Sequence, residues 1–456
     1  GADSQITRPA DASTGSGGDG EGVFVDRCKS GRGTKAGARG TAVRHPGMES
    51  KSSLPESRGN IGGVLPGSSC ETELKVGLVC DLLEEQWASM DLVGEMLYRE
   101  LRRRKEIAEI RLLRPPMRRR FSRFSAGRFA LNLDRLANRF VDYPAWLSRT
   151  SNGLDLFHIV DHSYSQLAHA IPRQKPVVIT CHDLDTFRSL IEPDRDPRPF
   201  WFRKMTSRIL SGFQLAQQVI CVSETVKREL LRHNLAPEER VTVIPNGLDP
   251  SCSTAEDPKA DAEAQRLLAP AGNDPFLLHV GTTIRRKRID VLLHVFAGVR
   301  QQHPNVWLVR AGGPLPPEYT ALATQLSIRD RIIELPFVSR EVLAAVYRKA
   351  RLLLQVSEAE GFGLPVIEAM ACGCPVVASD LAVFHEVAGD AAIYCPVADI
   401  DAWTRTVSQL LHQMENPNFR AALQQAGIAR SRRFTWAACA AQTLEVYQRC
   451  LEARRQ

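Results

Sequence analysis

Two glutamates separated by seven residues carry the clearest chemical signal, in the segment 358–380, which reads EAEGFGLPVIEAMACGCPVVASD. Glu360 follows a predicted strand, and Glu368 lies about one turn into a predicted helix that opens with a proline. Gly361 and Gly363 let the backbone approach a ligand closely. The free N–H groups at the start of that helix suit a nucleotide phosphate, and the two carboxylates can accept hydrogen bonds from sugar and ribose hydroxyls. The segment therefore predicts a site for a nucleotide and a sugar.

A second anion-binding element is the stretch 279–293, which reads HVGTTIRRKRIDVLL. A predicted strand ends at Gly281, and Arg285, Arg286 and Lys287 cluster before the next predicted helix. A bidentate guanidinium and a point-charge ammonium together neutralise a pyrophosphate. Taken alone, the cluster is better explained as a solvated basic loop. Because the two glutamates lie in the same half of the chain, a diphosphate site becomes the favoured interpretation of the cluster.

Histidines close two predicted strands in the first half of the chain. His182 ends a strand in TCHDL (180–184), and His162 follows one in VDHSYSQL (160–167). Ligands of parallel sheets bind at the carboxyl ends of the strands, so we expect His182 at the rim where two reactants meet. Asp183 is a weaker candidate, because a helix cap also explains it. For His162, an acceptor-side role and an ordinary polar strand end are equally open.

Short apolar runs that alternate with helical segments must position these residues. The runs are 75–80, 156–160, 176–183, 218–223 and 241–246 in the first half, and 275–281, 306–313, 331–337, 351–357, 375–380 and 391–396 in the second. Such alternation indicates βαβ units and parallel sheets. The polar segment 249–274 between the two series is interpreted as a domain linker. We therefore predict an α/β protein of two Rossmann-like, doubly wound domains with an interdomain cleft that binds ligands.

The start of the chain differs from the rest in composition. Residues 1–70 hold 15 of the 31 glycines and 10 serines and show no hydrophobic periodicity, so we predict that they are disordered. The predicted organisation is a Gly/Ser-rich tail (1–70), an N-terminal acceptor-side domain (71–253), a C-terminal domain (254–433) and a helix (434–456) that crosses back to the first domain.

Composition and cysteine usage limit the class of protein to which the chain can belong. With 43% hydrophobic and 24% charged residues the chain resembles ordinary globular proteins, and no apolar run is long enough to span a membrane. The first residues lack the pattern of a signal peptide. Eleven cysteines without metal-ligand spacing predict free thiols and no structural metal. We expect a cytoplasmic protein, with peripheral contact to the inner membrane face as an added hypothesis.

Taken together, these motifs resemble glycosyltransferase family 4, the glycosyl transferases group 1, which has the two-domain GT-B fold. The spacing from Glu360 to Glu368 resembles the Glu-x7-Glu motif of its retaining members, and HVGTTIRRK resembles its phosphate loop. Three further segments fit the same pattern: VIPNGLD (243–249), CVSETVKREL (221–230) and RFTWAACAAQTLEVY (433–447). The resemblance covers about residues 75–456.

The resemblance implies a nucleoside-diphosphate sugar bound to the C-terminal domain, and transfer that retains the anomeric configuration without a metal or other cofactor. By position, Glu360 would contact the donor sugar and Glu368 the ribose. Arg286 and Lys287 would hold the diphosphate and stabilise its charge as it leaves. His182 resembles the family's strand-end histidine, which reaches the donor sugar. The other implied donor contacts are Gly281, Val338, Gly361, Phe362, Gly363 and Leu364.

One loop departs from the family pattern. Many members carry a glycine pair after the first strand, in a loop that touches the donor phosphate and the acceptor. Here the loop 80–91 reads CDLLEEQWASMD and contains no glycine. Its bulky side chains cannot reproduce the close approach of a glycine loop. Trp87 is instead a candidate stacking surface for an acceptor sugar.

An arginine-dense segment, 99–128, holds 12 basic and 3 acidic residues, a net charge of +9 within a chain of +7. Phe121 and Phe124 are interleaved with the basic residues, and Phe129 follows the segment directly. Basic and aromatic residues together suit the headgroup region of an anionic membrane, which suggests a membrane-surface or lipid-linked acceptor. A solvated charged loop explains the segment almost as well. No recognised nucleic-acid module surrounds it, so we expect no specific nucleic-acid partner.

Other functions remain open beside that of a transferase acting on a glycan or lipid-linked glycan. An epimerase or a phosphorylase on the same scaffold is the enzymatic alternative, although no equivalent motif supplies the cofactor lysine that a phosphorylase needs. A non-catalytic protein that binds membranes or polyanions is the other alternative. The presence of Glu360, Glu368, Arg286, Lys287 and His182 together favours an enzyme.

Overall fold

A computed structural model describes residues 74–124 and 127–455, and these contain two parallel six-stranded sheets. The strands are β1 (Leu74–Val79), β2 (Ile107–Leu113), β3 (Leu156–Ile159), β4 (Val177–Cys181), β5 (Gln218–Cys221), β6 (Val241–Val243), β7 (Phe276–Val280), β8 (Trp307–Ala311), β9 (Ile332–Leu335), β10 (Leu352–Gln355), β11 (Val376–Ser379) and β12 (Ala392–Cys395). The first sheet has the order β2-β1-β3-β4-β5-β6 and the second β12-β11-β10-β7-β8-β9. The predicted α/β class with two doubly wound domains is thereby confirmed.

Helices connect the strands and cover the sheets. They are α1 (Ala88–Leu101), α2 (Arg128–Ala137), α3 (Tyr143–Thr150), α4 (Arg188–Ile191), α5 (Phe200–Phe213), α6 (Glu224–Arg232), α7 (Pro258–Leu267), α8 (Ile289–Gln302), α9 (Pro317–Gln325), α10 (Arg340–Lys349), α11 (Leu364–Ala371), α12 (Ala382–Ala388), α13 (Ile400–Gln413), α14 (Pro417–Ser431) and α15 (Trp436–Arg455). A π-helical segment, Asn138–Asp142, joins α2 to α3. Because every strand pair is parallel, the carboxyl ends of the strands in each sheet lie at one edge.

The strands form from apolar runs because both faces of each sheet are covered. All residues of β4 and β10 are buried, and continuous apolar runs of this kind are typical of parallel sheets. Polar residues follow where the strands end: Asp81 after β1, His182 after β4 and Ser357 after β10. The chemistry-bearing side chains are therefore concentrated at the carboxyl edges of the two sheets.

Strand β2 lies inside the arginine-dense segment 99–128, where no strand was expected. Its sequence, IAEIRLL, pairs in parallel with β1 at the edge of the first sheet. Exposed polar residues are usual on edge strands, which is why the charged composition concealed it. A strand of this length spans roughly 20 Å, so the basic residues of 99–105 and of 114–123 lie at opposite edges of the sheet. The basic residues of the segment 99–128 are therefore divided by β2, and the membrane contact suggested for this segment stays a prediction.

The polar segment 249–274, expected to be a linker, contains the helix α7. Asp257 caps this helix by accepting hydrogen bonds from the backbone N–H groups of Lys259 and Ala260, at 3.0 and 3.1 Å. Ala264 is fully buried, and α7 packs against α10 of the second domain. The segment is therefore folded structure, whose single buried face is built from alanines that a hydropathy pattern does not reveal.

The final helix, α15, packs on the first sheet although it follows the second domain in the chain. Its residues Trp436, Leu444 and Tyr447 share an apolar cluster with Val76 and Leu78 of β1. The Tyr447 hydroxyl lies 2.7 Å from Nδ1 of the buried His158 in β3. Helix α15 thus completes the core of the first domain.

Three further expectations concern the chain as a whole. The predicted disordered tail, 1–70, lies outside the described residues. Nine cysteines in the described ranges are unpaired and buried. Within 74–124 and 127–455, no helix has the length and apolar character that crossing a membrane requires.

Candidate functional site

Glu360 lies in the turn between β10 and α11, at the carboxyl edge of the second sheet. Its side chain is 6% exposed and accepts hydrogen bonds from Gln355 (2.9 Å), Ser357 (2.7 Å) and Arg286 (3.1 Å). The ammonium group of Lys287 also contacts this carboxylate. The structure therefore brings together the three residues predicted from separate motifs, Glu360, Arg286 and Lys287.

The charge state of Glu360 follows from these contacts. Burial opposes ionisation, but the neighbouring Lys287 and Arg286 outweigh it and lower the pKa of Glu360 to about 2. At neutral pH the group is a fully ionised carboxylate held by two cations. It can accept hydrogen bonds from a ligand, and it is unsuited to donate a proton.

Glu368 lies in the second turn of α11 and has a different environment. It accepts a hydrogen bond of 3.0 Å from the Tyr347 hydroxyl. Burial raises the pKa of Glu368 to about 7, because the single phenol donor only partly offsets desolvation. The two predicted glutamates therefore differ in protonation near neutral pH.

The start of α11 has the backbone geometry expected from its glycines. Gly363 has a φ of +93°, a conformation that side chains rarely adopt, and Leu364, partly buried, is the first helical residue. The Phe362 ring is buried against Phe434, with ring centroids 5.6 Å apart, so a ligand would meet its backbone. Val338 is partly buried in the loop between β9 and α10.

Gly361 brings the two domains into contact. A Cβ atom on this residue would lie 1.6 Å from the carbonyl oxygen of His182, and the Gly361 carbonyl accepts a hydrogen bond of 2.7 Å from Ser223. The space that we expected a ligand to need is taken here by the backbone of the first domain. Glycine is therefore required by the closed cleft itself.

His182 lies at the end of β4 with a fixed ring. Its Nε2 is 2.8 Å from the Val160 carbonyl, which can only accept, so Nε2 carries the proton. Burial lowers the pKa of His182, with smaller opposing contributions from Asp161 and Asp183. The neutral ring leaves Nδ1 as an acceptor, suited to a hydroxyl donor.

His162 is buried behind the surface, with its side chain 4% exposed. Its ring lies between two carboxylates, with Nδ1 3.2 Å from Asp161 and Nε2 3.6 Å from Asp183. Burial opposes protonation, but Asp161 and Asp183 outweigh it and raise the pKa of His162. Nε2 has no hydrogen-bond partner among the described residues, and an acceptor-side role for His162 stays one of the two interpretations given above.

Arg286 connects the two domains electrostatically. Besides Glu360, its guanidinium lies 3.1 Å from Asp183 and 2.5 Å from Asp185, both of the first domain. Asp185 was not singled out from the sequence. The phosphate-loop motif predicts that this guanidinium binds an anionic ligand. Because three carboxylates bind it here, they and an anionic ligand would compete for it.

The loop after β1 carries buried acids in place of glycines. Asp81 and Glu85 are 1% and 8% exposed, and none of their carboxylate oxygens has a hydrogen-bond partner among the described residues. Burial and the neighbouring Asp161 raise the pKa of Asp81 well above its usual range. Trp87 is 46% exposed and remains available as a stacking surface.

Basic residues at the carboxyl edge are partly paired. Arg114 contacts Asp91 at 2.9 Å, and Arg120 contacts Asp142 at 2.5 Å. Phe124 and Phe129 are 86% and 76% exposed in the same region. The aromatic residues are thus accessible, whereas part of the positive charge is compensated.

Several residues of the site were missed in the sequence. Gln355 and Ser357 hold Glu360, Tyr347 holds Glu368, and Ser223 binds Gly361. A glutamine in the buried apolar run RLLLQVS was an available signal for the first. Within the described ranges, no cluster of three or more His, Cys, Asp or Glu side chains has an arrangement that would hold a metal.

Comparisons with protein families match both halves of the chain. The model for Glycosyltransferase Family 4 matches residues 91–251, and that for glycosyl transferases group 1 matches residues 261–430. The two matches include every described strand except β1, together with the loop of Arg286 and the segment of Glu360.

Curated relatives show the same likeness. The chain is 29% identical over 213 residues to the uncharacterized glycosyltransferase YqgM of Bacillus subtilis, covering 46% of this chain and 54% of that protein. It is 31% identical over 293 residues to the D-inositol 3-phosphate glycosyltransferase of Thermobispora bispora, covering 61% of this chain and 66% of the relative. The matched part therefore spans between about half and two thirds of these relatives.

Solved structures show the likeness of the fold. Sucrose-phosphate synthase from Thermosynechococcus elongatus has a TM-score of 0.65 at 21% identity, covering 83% of this chain and all of that one. Anabaena HepE in complex with UDP and glucose has a TM-score of 0.61 at 17% identity, covering 82% and 99%. WaaG, a glycosyltransferase involved in lipopolysaccharide biosynthesis, has a TM-score of 0.59 at 14% identity, covering 81% and 99%. These likenesses confirm the predicted GT-B fold.

Proposed function

Because the chain belongs to glycosyltransferase family 4, we propose that it transfers a glycosyl group from a nucleoside-diphosphate sugar to a hydroxyl group of an acceptor. One observation supports this proposal most directly: the ionised Glu360 lies between Arg286 and Lys287 at the sheet edge that faces His182. The cations suit a diphosphate, and the carboxylate suits sugar hydroxyls. His182 would accept a hydrogen bond from the sugar on the opposite side of the cleft.

The proposed reaction retains the anomeric configuration. The bond between the anomeric carbon and the diphosphate oxygen breaks, and the acceptor oxygen bonds to the same face of the sugar. The acceptor proton passes to the departing diphosphate, whose added charge Arg286 and Lys287 stabilise. Glu360 is too acidic for a base in this step, since its pKa is about 2. We propose that the reaction needs no metal, because the two cations supply the positive charge.

The donor we would test first is UDP-glucose, since HepE, one of the structural neighbours, has been crystallised in complex with it. For the acceptor we propose a glycan or a lipid-linked glycan, with Trp87 as a stacking surface. Relatives named D-inositol 3-phosphate glycosyltransferase make a phosphorylated polyol a second acceptor to include in a screen.

We place the reaction in the cytoplasm, at the inner membrane surface. The nine unpaired buried cysteines suit a reducing compartment. The exposed Phe124 and Phe129, next to basic residues at the carboxyl edge, suit contact with anionic headgroups. Within the described residues this surface comprises 114–124 and Phe129, and it excludes 99–105, which lie at the other edge of the sheet.

Nucleotide release from a panel of UDP-, GDP- and ADP-sugars, with a mixture of candidate acceptors, tests the proposal. We expect release with one nucleotide class and loss of at least about 100-fold in kcat for Glu360→Ala. Glu358→Ala is the matched control, because Glu358 is exposed in the same turn and pairs with Arg288. Conversion of the donor sugar without nucleotide release would indicate an epimerase. Phosphate-dependent formation of a sugar phosphate would indicate a phosphorylase.

A further inference from the structure

A buried arginine lies beneath the phosphate loop without a counterion. Arg310 is in β8 and is fully buried. Among the described residues no carboxylate lies within ion-pair distance of it, and its Nε has no hydrogen-bond partner. Glu334 is opposite in register on β9, but its carboxylate is bound by Arg329 (2.7 Å) and by the backbone N–H of Leu315. Glu334 therefore acts on Arg310 at a distance.

A guanidinium keeps its proton even when burial lowers the pKa, as it does for Arg310. Among the described residues, Arg310 is therefore a buried cation without a carboxylate in direct contact. An unpaired buried charge normally lowers the stability of a protein. Its presence is explained if the compensating negative charge comes from a ligand.

The guanidinium is anchored at the two glycine turns of the sheet edge. Arg310 donates hydrogen bonds to the carbonyls of Gly281 (3.1 Å) and Gly313 (3.4 Å). Gly312 has a φ of +132°, and a Cβ there would lie 2.1 Å from the Gly281 carbonyl oxygen. The turns after β7 and β8 are thus packed against each other around the arginine. The Gly281 turn opens the loop that carries Arg286 and Lys287.

The neighbouring strand adds no compensating charge. His279 of β7 pairs in register with Arg310 and is fully buried, and neither ring nitrogen has a partner among the described residues. Burial, together with Arg310 and Lys287, holds the pKa of His279 well below its usual range, so the ring is neutral. Glu360, the next carboxylate, is already bound by Lys287 and Arg286.

We propose that Arg310 is the third cation of the diphosphate site, a buried charge that acts on the donor from beneath the Gly281 and Gly313 turns. This inference rests on the proposed function, because the anion is the diphosphate of a nucleotide donor. Arg286 and Lys287 touch the donor, and Arg310 adds long-range attraction through the low-dielectric sheet edge, where screening is weak. Arg310 is therefore a positioning residue, and its charge is the property that matters.

Two substitutions separate charge from hydrogen bonding. Arg310→Lys keeps the charge but loses the planar fork that reaches two carbonyls. Arg310→Gln keeps amide donors but removes the charge. If Arg310 acts through its charge, UDP, GDP or ADP binding by titration calorimetry stays within about three-fold of wild type for the lysine variant. For the glutamine variant it weakens at least about ten-fold, which corresponds to about 1.4 kcal/mol.

The unfolding temperature without nucleotide is a second measurement, and a purely structural role of Arg310 predicts that its loss lowers this temperature. We expect Arg310→Gln to unfold at the same or a higher temperature than wild type, because an unpaired buried charge is removed. Arg300→Gln is the matched control: Arg300 also donates to a backbone carbonyl, that of Ser327 (3.0 Å), but lies on α8 away from the loop. It should leave nucleotide affinity unchanged.

The opposite results would overturn the inference. Weak binding by the lysine variant with normal binding by the glutamine variant would show a hydrogen-bonding brace. A lower unfolding temperature for both variants, in proportion to their loss of affinity, would also show that Arg310 acts as a hydrogen-bonding brace. If wild type binds none of the three nucleoside diphosphates, the proposed function fails. If wild type and both variants bind a nucleoside diphosphate equally, only the inference about Arg310 fails.

Discussion

Arg286 of the second domain donates a hydrogen bond of 3.1 Å to Asp183 of the first. The same guanidinium is the proposed diphosphate ligand, so Asp183 and the donor compete for it. We expect Asp183→Asn to tighten UDP, GDP or ADP binding about two- to five-fold, because one opposing charge is removed from a partly exposed pair. Titration calorimetry measures the change. Asp194→Asn, an exposed carboxylate of the same domain, is the control, and weaker binding by Asp183→Asn would show that Asp183 supports the donor.

The raised pKa of Glu368 predicts a pH dependence of nucleotide binding. Below about pH 7 the folded protein favours the protonated form, and above it the carboxylate that can accept two ribose hydrogen bonds. Affinity for a nucleoside diphosphate should therefore rise roughly five-fold between pH 6 and pH 8. Titration of the ligand's own phosphate contributes equally to wild type and to Glu368→Gln, so the difference between the two profiles isolates Glu368. Parallel profiles would assign the dependence to another group.

We expect Gly361 not to tolerate a side chain, because the first domain lies directly against it. Gly361→Ala places a carbon 1.6 Å from the His182 carbonyl, and a backbone atom cannot move as a flexible side chain can. We expect kcat to fall at least about ten-fold while the unfolding temperature changes little, since the clash can be relieved by opening the cleft. A larger radius of gyration by small-angle X-ray scattering would accompany it. Gly298→Ala should show neither effect, because the three atoms nearest to the added carbon all belong to the Thr404 side chain of the second domain.

Tyr447 is expected to fasten α15 to the first sheet. Tyr447→Phe removes the 2.7 Å contact with His158 and leaves the buried ring nitrogen unpaired. The cost in free energy of unfolding should be about 1–3 kcal/mol, measured by urea denaturation. Gln448→Ala, at an exposed position of the same helix, should cost much less. Equal values for the two variants would mean that the hydrogen bond contributes nothing.

The exposed phenylalanines at the carboxyl edge predict binding to anionic vesicles. Wild type should float with vesicles that contain phosphatidylglycerol at physiological ionic strength, and Phe124→Ser combined with Phe129→Ser should reduce binding several-fold. Leu215→Ser is the control, because Leu215 is 47% exposed between α5 and β5, at the amino edge of the sheet. Failure of wild type to float would remove the membrane surface from the proposed function.

The local sequence predicted those elements in which the residue types reflect the burial of their own side chains. The buried strands on either side of Glu360 and His182 were recognisable because parallel sheets require continuous apolar runs. Strand β2 was not, because an edge strand tolerates the charges of Glu109 and Arg111. Helix α7 was hidden for a related reason, since Ala260 and Ala264 carry its buried face.

The contacts of the site were less accessible to sequence reasoning. The phosphate-loop motif predicted Arg286, but its partners Asp183 and Asp185 belong to the other domain, about 100 residues earlier. Such pairing is set by how the two sheets approach each other, a long-range property that no local pattern encodes. The raised pKa of Glu368 depends in the same way on its burial by the surrounding elements, which the hydrogen bond from Tyr347 of a different helix only partly offsets.

The position of α15 has a consequence for biosynthesis. During translation β1 leaves the ribosome long before α15 is made, yet Val76 and Leu78 of β1 share their apolar cluster with Leu444 and Tyr447. The first domain therefore cannot finish folding as it emerges, and its sheet stays partly uncovered until α15 has been made. A nonsense mutation between α14 and α15 would leave all twelve described strands intact in sequence and still produce an aggregation-prone protein.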